Sequence, residues 1–206
     1  MFLKVAVSSL LSRKGSAVMT LMAISVAIFV LLGIEQIRQQ ARESFASTVS
    51  GVDLIVGAKT GSLNLLLYSV FRIGSPTDNI SWQAYRDLAD ADDVAWTIPI
   101  SLGDSHKGYR VVGTTEAFFK YFSFGKERRL AFYKGEAFEG TFDAVLGSEV
   151  ATALGYSMGT EVILAHGLAS ASFTKHDNQP FVVVGILAPT GTPVDHTIHV
   201  RLEGIE

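Results

Sequence analysis

An uncharged apolar run near the N-terminus is the strongest feature of the hydrophobic pattern. The residues between Lys14 and Glu35 read GSAVMTLMAISVAIFVLLGI, and about twenty such residues are what the hydrocarbon core of a bilayer requires of an α-helix. Lys4 and Arg13 also precede the run, and positive residues remain on the cytoplasmic side of a membrane. The pattern predicts one transmembrane helix over residues 15–35, with the N-terminus inside and the remainder outside.

A cleaved secretory signal is the alternative interpretation of this run. The apolar core of a signal peptide is usually about 7–15 residues long and ends at a small-x-small cleavage site. Here the run is longer, and its exit, residues 32–36, reads LGIEQ without such a site. We therefore expect an uncleaved anchor in the lipid bilayer.

The residues before the run are amphipathic. Residues 2–11 alternate apolar side chains with Lys4, Ser8 and Ser9, a pattern typical of a short helix along the membrane interface. We expect residues 1–14 to form a cytoplasmic elbow. The elbow is either a simple positive flank or a docking surface for a cytoplasmic partner.

The residues after the run favour a continued helix. Residues 35–49 read EQIRQQARESFASTV, with good helix formers and neither Pro nor Gly. The pattern predicts a helical stalk over residues 36–51, stopped by Ser50-Gly51. Such a stalk is either a stiff lever or a passive spacer.

The rest of the pattern, residues 52–206, predicts one mixed α+β domain. Predicted helices cover Leu63–Phe71, a segment capped by Ser81, and Ser148–Leu154, and the aromatic run Ala117–Phe124 is expected to bury Phe118, Phe119 and Phe122. Predicted strands cover Asp53–Val56, Val94–Leu102, Tyr109–Gly113, Phe142–Leu146, Glu161–Ala165, Pro180–Leu187 and Thr197–Leu202. The nearly all-apolar Pro180–Leu187 is expected to be central. Thr197–Leu202 alternates and is expected to be half-exposed.

Composition narrows the function classes. The chain has 206 residues, a formal net charge of −3 and no cysteine. Without cysteine there is neither a disulfide framework nor a thiolate metal site. The small net charge gives no electrostatic reason to expect nucleic acid as a partner.

Two short motifs suggest chemistry but lack its context. In GAKTGS, residues 57–62, a phosphate-binding loop aligned on Lys59-Thr60 requires glycine where Asp53 and Ala58 stand. Residues 155–159, GYSMG, match the G-x-S-x-G nucleophile motif around Ser157, which requires a strand before the serine and a helix after it. The predicted order here is the reverse, so neither a nucleotide site nor a hydrolase is expected.

Histidine offers the remaining candidate ligands. The set is His166, His176, His196 and His199, and no carboxylate repeat or helical His-x-x-x-His supports it. We expect surface or hydrogen-bonded histidines, and we predict no catalytic residue, no bound cofactor, no metal site and no enzyme activity.

Three longer stretches together resemble a known family. They are VDLIVGAKTGSLNLLLYSVFRI at Val52–Ile73, AVLGSEVATALGYSMGTEVIL at Ala144–Leu164 and PFVVVGILAPTGTPVDHTIHVRLEGI at Pro180–Ile205. In order and spacing they resemble the extracytoplasmic core domain of ABC-transporter permeases of the MacB/FtsX/LolC type. The elbow, single span and stalk are similar to that family as well.

The resemblance implies a function and partners. Such permeases sit in the bacterial inner membrane as dimers, bind a cytoplasmic ABC ATPase subunit, and convert ATP-driven closure into motion of periplasmic domains, in some cases with a periplasmic partner. Relatives carry further spans, normally four in total, whereas this sequence ends at Glu206. We therefore expect a fragment of a permease. The alternative is a single-span anchored binding or sensor protein not coupled to ATP.

Overall fold

A computed structural model describes residues 12–48, 50–74, 78–166 and 179–205, with the side chains of residues 41–47 and of His166 left out of the description. The predicted elbow lies almost wholly outside these residues. The chain divides after Phe45 into two compact units. The first is helical, and the second contains the sheet.

One helix, α1, runs without a break from Lys14 to Thr48. The absence of proline and the run of apolar residues with good helix formers explain its length. Residues 14–40 are long and apolar enough to cross a membrane, and this window is not buried by the rest of the chain. The helix ends two residues before the Ser50-Gly51 stop that the sequence predicts.

The second unit contains four short α-helices, two 3-10 helices (Pro193–His196 and Leu202–Gly204) and ten strands in its described part. The helices are α2 (Ser62–Ser69), α3 (Trp82–Ala89), α4 (Ala117–Tyr121) and α5 (Ser148–Leu154). The strands are β1 (Ser101–His106), β2 (Tyr109–Thr114), β3 (Ser123–Phe124), β4 (Arg128–Arg129), β5 (Phe132–Gly135), β6 (Asp143–Leu146), β7 (Glu161–Val162), β8 (Ala165–His166), β9 (Phe181–Leu187) and β10 (Thr197–Arg201).

Eight of these strands form one mixed sheet. Its order is β5-β9-β6-β10-β2-β1-β8, with β7 also paired to β9. The pairs β6–β9 and β10–β2 are parallel, and the other pairs are antiparallel. β3 and β4 form a separate two-stranded sheet. The domain is therefore α+β, as predicted.

Both faces of the sheet are covered. On β6, Ala144 and Leu146 join one core cluster with Val150 of α5, whereas Val145 joins a second cluster with Phe118 of α4. Alternate residues of a strand point to opposite faces, so α5 and α4 cover opposite faces. The burial of Phe118 and Phe119 is confirmed, whereas Phe122 is only partly buried.

Several predicted elements are confirmed. Ser81 caps α3, since its hydroxyl accepts a hydrogen bond from the Ala84 amide. The predicted helix Leu63–Phe71 forms as α2, which ends two residues earlier, at Ser69. The predicted helix Ser148–Leu154 forms as α5 with the same bounds. β9 is an interior strand, with β6 on one edge and both β5 and β7 on the other.

The predicted exposure of Thr197–Leu202 is wrong. The first four residues of β10 are all buried, and Arg201 is intermediate. The apolar–polar alternation there places Ile198 and Val200 in the α5 cluster and His199 against the aromatic rings of α4. His199 therefore faces the α4 side of the sheet, which is covered, and not the solvent.

Three of the predicted strands are absent, shifted or divided in the structure. Asp53–Val56 and residues 94–100 are not in strands. β1 begins at Ser101 and continues to His106, so of residues 103–108, which separate the predicted strands Val94–Leu102 and Tyr109–Gly113, only Lys107 and Gly108 form the turn. The predicted strand Glu161–Ala165 splits into β7 and β8, which pair with β9 and β1 respectively. Pairing partners distant in sequence set these boundaries.

Candidate functional site

The loop GAKTGS has its own internal hydrogen bonds. Both the amide and the hydroxyl of Thr60 donate to the Ala58 carbonyl, at 2.8 and 3.4 Å. A phosphate-binding loop needs its amides directed at the ligand, and the preceding residues 52–57 form no strand. The hydrogen bonds of this loop are therefore those of a local turn.

Ser157 lies in a turn between α5 and β7, the order opposite to that of a nucleophile elbow. Gly155 ends α5 in the left-handed conformation with φ 66°. The amide of Ser157 donates to the Thr160 hydroxyl at 3.2 Å. Ser157 lies on the rim of an open groove of about 580 Å³ between α5 and β5. The contacts around it are those of a turn.

The histidines do not converge. His196 is exposed, whereas His199, three residues later in β10, is buried in the core. His106 is buried where Nδ1 meets the Ile163 carbonyl at 2.7 Å and Nε2 meets the Tyr156 hydroxyl at 2.9 Å. His176 lies outside the described residues. Among those described, no cluster of three metal-ligating side chains occurs.

The most informative geometry lies where the long helix ends. Ser50 forms an isolated antiparallel bridge with Ser123, and the Ser123 hydroxyl donates to the Ser50 carbonyl at 2.9 Å. Thr48, the last helical residue, is 4% exposed. Gly51 has φ +69°, and a Cβ there would lie 2.5 Å from the Ser123 hydroxyl oxygen. We call Thr48, Ser50, Gly51 and Ser123 the junction.

An aromatic cluster connects the junction to the sheet. Ser123 is separated from α4 by one residue, Phe122, and the Phe118 ring of α4 stacks on the Phe122 ring at 4.9 Å. Phe118 also lies 4.8 Å from the His199 ring of β10. The junction is therefore linked to the sheet core through Ser123, Phe122 and Phe118.

A buried carboxylate, that of Asp195, stabilises the turn between β9 and β10. In the TGTPVD turn, the Asp195 carboxylate accepts hydrogen bonds from the Thr190 amide at 2.9 and 3.0 Å and from the Gly191 amide at 2.7 Å. The Thr190 hydroxyl donates to it as well, at 2.9 Å. This turn packs on Gly147 at the start of α5, where an added Cβ would overlap the carbonyl oxygens of Val194 and Asp195. Two of the stretches that carry the family resemblance therefore build one structural unit.

Arg72 is the one buried residue described between 51 and 93, and sequence reasoning missed it. Its φ is +59° and its side chain is 7% exposed. One guanidinium nitrogen donates to the Ser69 carbonyl, whereas Nε has no partner in the described structure. Burial lowers the pKa of Arg72 to about 10. No residue pattern signals such a position, because an arginine after an apolar helix usually reaches solvent.

Tyr68 shares this environment. Its hydroxyl donates to the Leu102 carbonyl of β1. Burial raises the pKa of Tyr68 to about 12, against the opposing charges of Arg110 and Arg72. The tyrosine is therefore a neutral hydrogen-bond donor that ties α2 to the sheet.

Comparison with known proteins gives one result. The family model described as MacB-like periplasmic core domain matches residues 17–203. No curated protein matches the chain.

Proposed function

Because the chain belongs to the MacB-like periplasmic core domain family of ABC-transporter permeases, we propose that it transmits ATP-driven motion from a cytoplasmic ATPase to an extracytoplasmic domain. In this proposal the chain is the membrane subunit of a transporter complex in the bacterial inner membrane. It exports or releases a substrate without catalytic residues, cofactor or metal of its own.

The observation that carries the proposal is the unbroken helix with an anchored end. α1 contains the apolar window and continues to Thr48, and its last turn from Ala46 belongs to the same compact unit as the sheet. Ser50, two residues after that end, accepts a hydrogen bond from the Ser123 hydroxyl. Kinks in helices occur mostly at proline, and this helix contains none, so we expect displacement of its membrane portion to be transmitted to the domain.

The proposal assigns a role to each part of the chain. Residues 1–14 are the cytoplasmic elbow, which contacts the ATPase, and residues 15–35 span the bilayer. Residues 36–51 are the stalk, and residues 52–206 are the periplasmic core domain. Two copies of the permease act together, and a periplasmic partner is an optional addition.

A proline in the stalk tests the lever. We expect Arg42→Pro to break helix α1, at a cost of about 3 kcal/mol or more, and to uncouple the domain while the elbow still binds the ATPase. Because the chain has no cysteine, a spin label at Tyr133→Cys, which is 68% exposed, reports only the domain. The distance between labels in two copies is measured by pulsed EPR in membranes, with and without ATP.

The matched control is Arg42→Ala, which keeps the helix. We expect the ATP-dependent change in distance in the parent and the alanine variant, and its loss in the proline variant. An unchanged response in Arg42→Pro would contradict the lever. If no ATPase co-purifies with the parent chain, the anchored binding or sensor protein becomes the better interpretation.

A further inference from the structure

The hairpin formed by β3 and β4 carries positive charge in a domain that is acidic overall. The second unit has 12 basic and 18 acidic residues. The hairpin, residues 123–129, holds Lys126, Arg128 and Arg129 against Glu127 alone, and all four of these residues are exposed. None of them forms an ion pair with another described residue. We call residues 123–129 the basic hairpin, and its positive charge is open to a partner outside the domain.

The junction directs the basic hairpin toward the end of α1. Ser123, the first residue of the hairpin, is bridged to Ser50, and the bridge is antiparallel. In an antiparallel pair, the residues after one partner lie beside the residues before the other. Asp53 follows Ser50 and so belongs to the far side of the bridge. The turn of the hairpin, residues 125–127, is therefore directed to the side on which Thr48 ends α1.

The basic hairpin is close enough to the proposed span to reach lipid headgroups. From Glu35 to Thr48 is about 20 Å of helix, and the headgroup layer occupies roughly 6 Å of that length. The hairpin extends up to about 13 Å from Ser123 to its turn, and lysine and arginine side chains extend further. The attraction between a basic side chain and an anionic surface acts over about 8 Å at physiological salt. Together these lengths bridge the distance between the junction and the headgroups.

Local contacts hold both arginines of the basic hairpin in place. The Arg128 guanidinium carbon lies 4.6 Å from the centroid of the Phe124 ring, and Phe124 is buried. One Arg129 nitrogen donates to the carbonyls of Lys120, at 3.2 Å, and of Tyr121, at the end of α4. A guanidinium has five N–H donors in a planar fork that matches a phosphate group. Arginines held in this way lose less conformational freedom on binding a phosphate than mobile side chains do.

We propose that the basic hairpin binds the phosphate groups of anionic lipids at the membrane surface from which α1 emerges, and so holds the domain close to the bilayer. This inference rests on the proposed membrane span of residues 15–35. Lysine and arginine near an anionic lipid surface are attracted to it, and the antiparallel bridge brings them toward the helix that leaves that surface. An acidic protein surface would match the charge, but it would not account for the direction of the hairpin toward α1.

Fluorescence quenching by lipid headgroups tests the contact in the full-length chain. Because the chain has no cysteine, Glu127→Cys at the turn and Tyr133→Cys on β5, both at exposed positions, each carry one fluorophore. The chain is reconstituted in nanodiscs of phosphatidylcholine, part of it spin-labelled on the headgroup, with or without an equal amount of phosphatidylglycerol. In the anionic nanodiscs we expect several-fold stronger quenching at position 127 than at position 133. Without phosphatidylglycerol, the quenching at position 127 should fall several-fold.

A charge variant measures the electrostatic part. We expect Lys126→Glu to lower the quenching at position 127 several-fold in the anionic nanodiscs, because it places a carboxylate against the lipid phosphates. The matched control is Lys107→Glu, which makes the same charge change at an exposed lysine in the β1–β2 turn and should leave the quenching unchanged. Equal loss in both variants, or equal quenching in the two lipid mixtures, would contradict the proposal.

The remaining outcomes separate this proposal from the proposed function. The quenching assay uses neither ATP nor an ATPase, so quenching that persists where the ATP-dependent distance change is absent contradicts the lever alone. Equal quenching at positions 127 and 133 overturns the lipid contact and leaves the lever standing. If a photoreactive group at Glu127→Cys crosslinks in native membranes to another protein and not to phosphatidylglycerol, the hairpin is a protein interface and the lipid proposal fails.

Discussion

His199 lies on β10 with its imidazole fully buried between aromatic rings. The Phe118 and Phe119 ring centroids are 4.8 and 6.1 Å away. Nε2 meets the Thr197 hydroxyl at 3.1 Å, whereas Nδ1 faces the Val145 backbone without reaching hydrogen-bond geometry. Burial, aided by the charge of Arg72, lowers the pKa of His199 from 6.5 to about 3. The residue is therefore a neutral core side chain.

The depressed pKa predicts a loss of stability in acid. The unfolded chain takes up a proton near pH 6.5, but the folded chain does so only near pH 3, so the stability present above pH 6.5 is lost progressively between these values. The limit for one group is about 1.4 kcal/mol per pH unit, or about 2 kcal/mol between pH 6.5 and 5. Thermal unfolding of the full chain in detergent, followed by near-ultraviolet circular dichroism, measures this dependence.

Two variants assign the acid effect to this residue. His199→Leu has a similar volume and no proton to bind, so we expect a flatter dependence on pH below 6.5. His106 contributes with the same sign, because burial also lowers its pKa. His196→Gln changes an exposed histidine and should keep the parental slope. An unchanged slope in His199→Leu would exclude His199 as the source.

Local sequence could predict single residues only where their partners are local. Ser81 is recognisable as a cap because its partner, Ala84, is three residues away. The burial of Arg72 and His199 depends on elements far along the chain, since His199 packs against α4 and Arg72 acts on it electrostatically. No local pattern contains that information.

At the scale of elements, the same rule separates confirmed predictions from wrong ones. Helices α2, α3 and α5 follow from caps and glycines within a few residues. The boundaries of β1 and the split into β7 and β8 depend on pairing with distant strands. Residues 53–56 have β-propensity but no strand pairs with them, so propensity alone does not make them a strand.

The contact between α5 and the TGTPVD turn allows a prediction about the stability of the domain. We expect Gly147→Ala to destabilise the domain by about 1–3 kcal/mol, because the new Cβ overlaps two backbone carbonyls that cannot move without disrupting the Asp195 turn. That corresponds to a fall in melting temperature of about 3–10 °C. Differential scanning fluorimetry of the full chain in detergent measures it.

Gly103→Ala is the matched control for this contact. Gly103 lies in β1, and a Cβ there would meet nothing within 4 Å. We expect its melting temperature to stay within about 2 °C of the parent. Equal falls in the two variants would show that the contact between Gly147 and the turn is not the cause.

At the scale of the whole molecule, the family and the α+β architecture could be predicted from the sequence. Both depend on the order and spacing of many short motifs, none of which is specific alone. The family match over residues 17–203 agrees with the resemblance carried by three separated stretches. The exposure of Leu54, Leu63 and Trp82 was not accessible, because such residues are typical of a core. Only the fold shows that its own domain leaves them uncovered.

The orientation of the chain in the membrane gives the last prediction. Lys4, Arg13 and Lys14 precede the apolar window, and positive flanks stay in the cytoplasm, so the domain should face outward. The chain lacks cysteine, so Tyr133→Cys and Ser8→Cys each provide one reactive thiol. A membrane-impermeant maleimide added to spheroplasts should label Tyr133→Cys at once and Ser8→Cys only after lysis. The reverse result would place the domain in the cytoplasm, where an ATPase could contact it directly and the stalk would have no signal to carry across the bilayer.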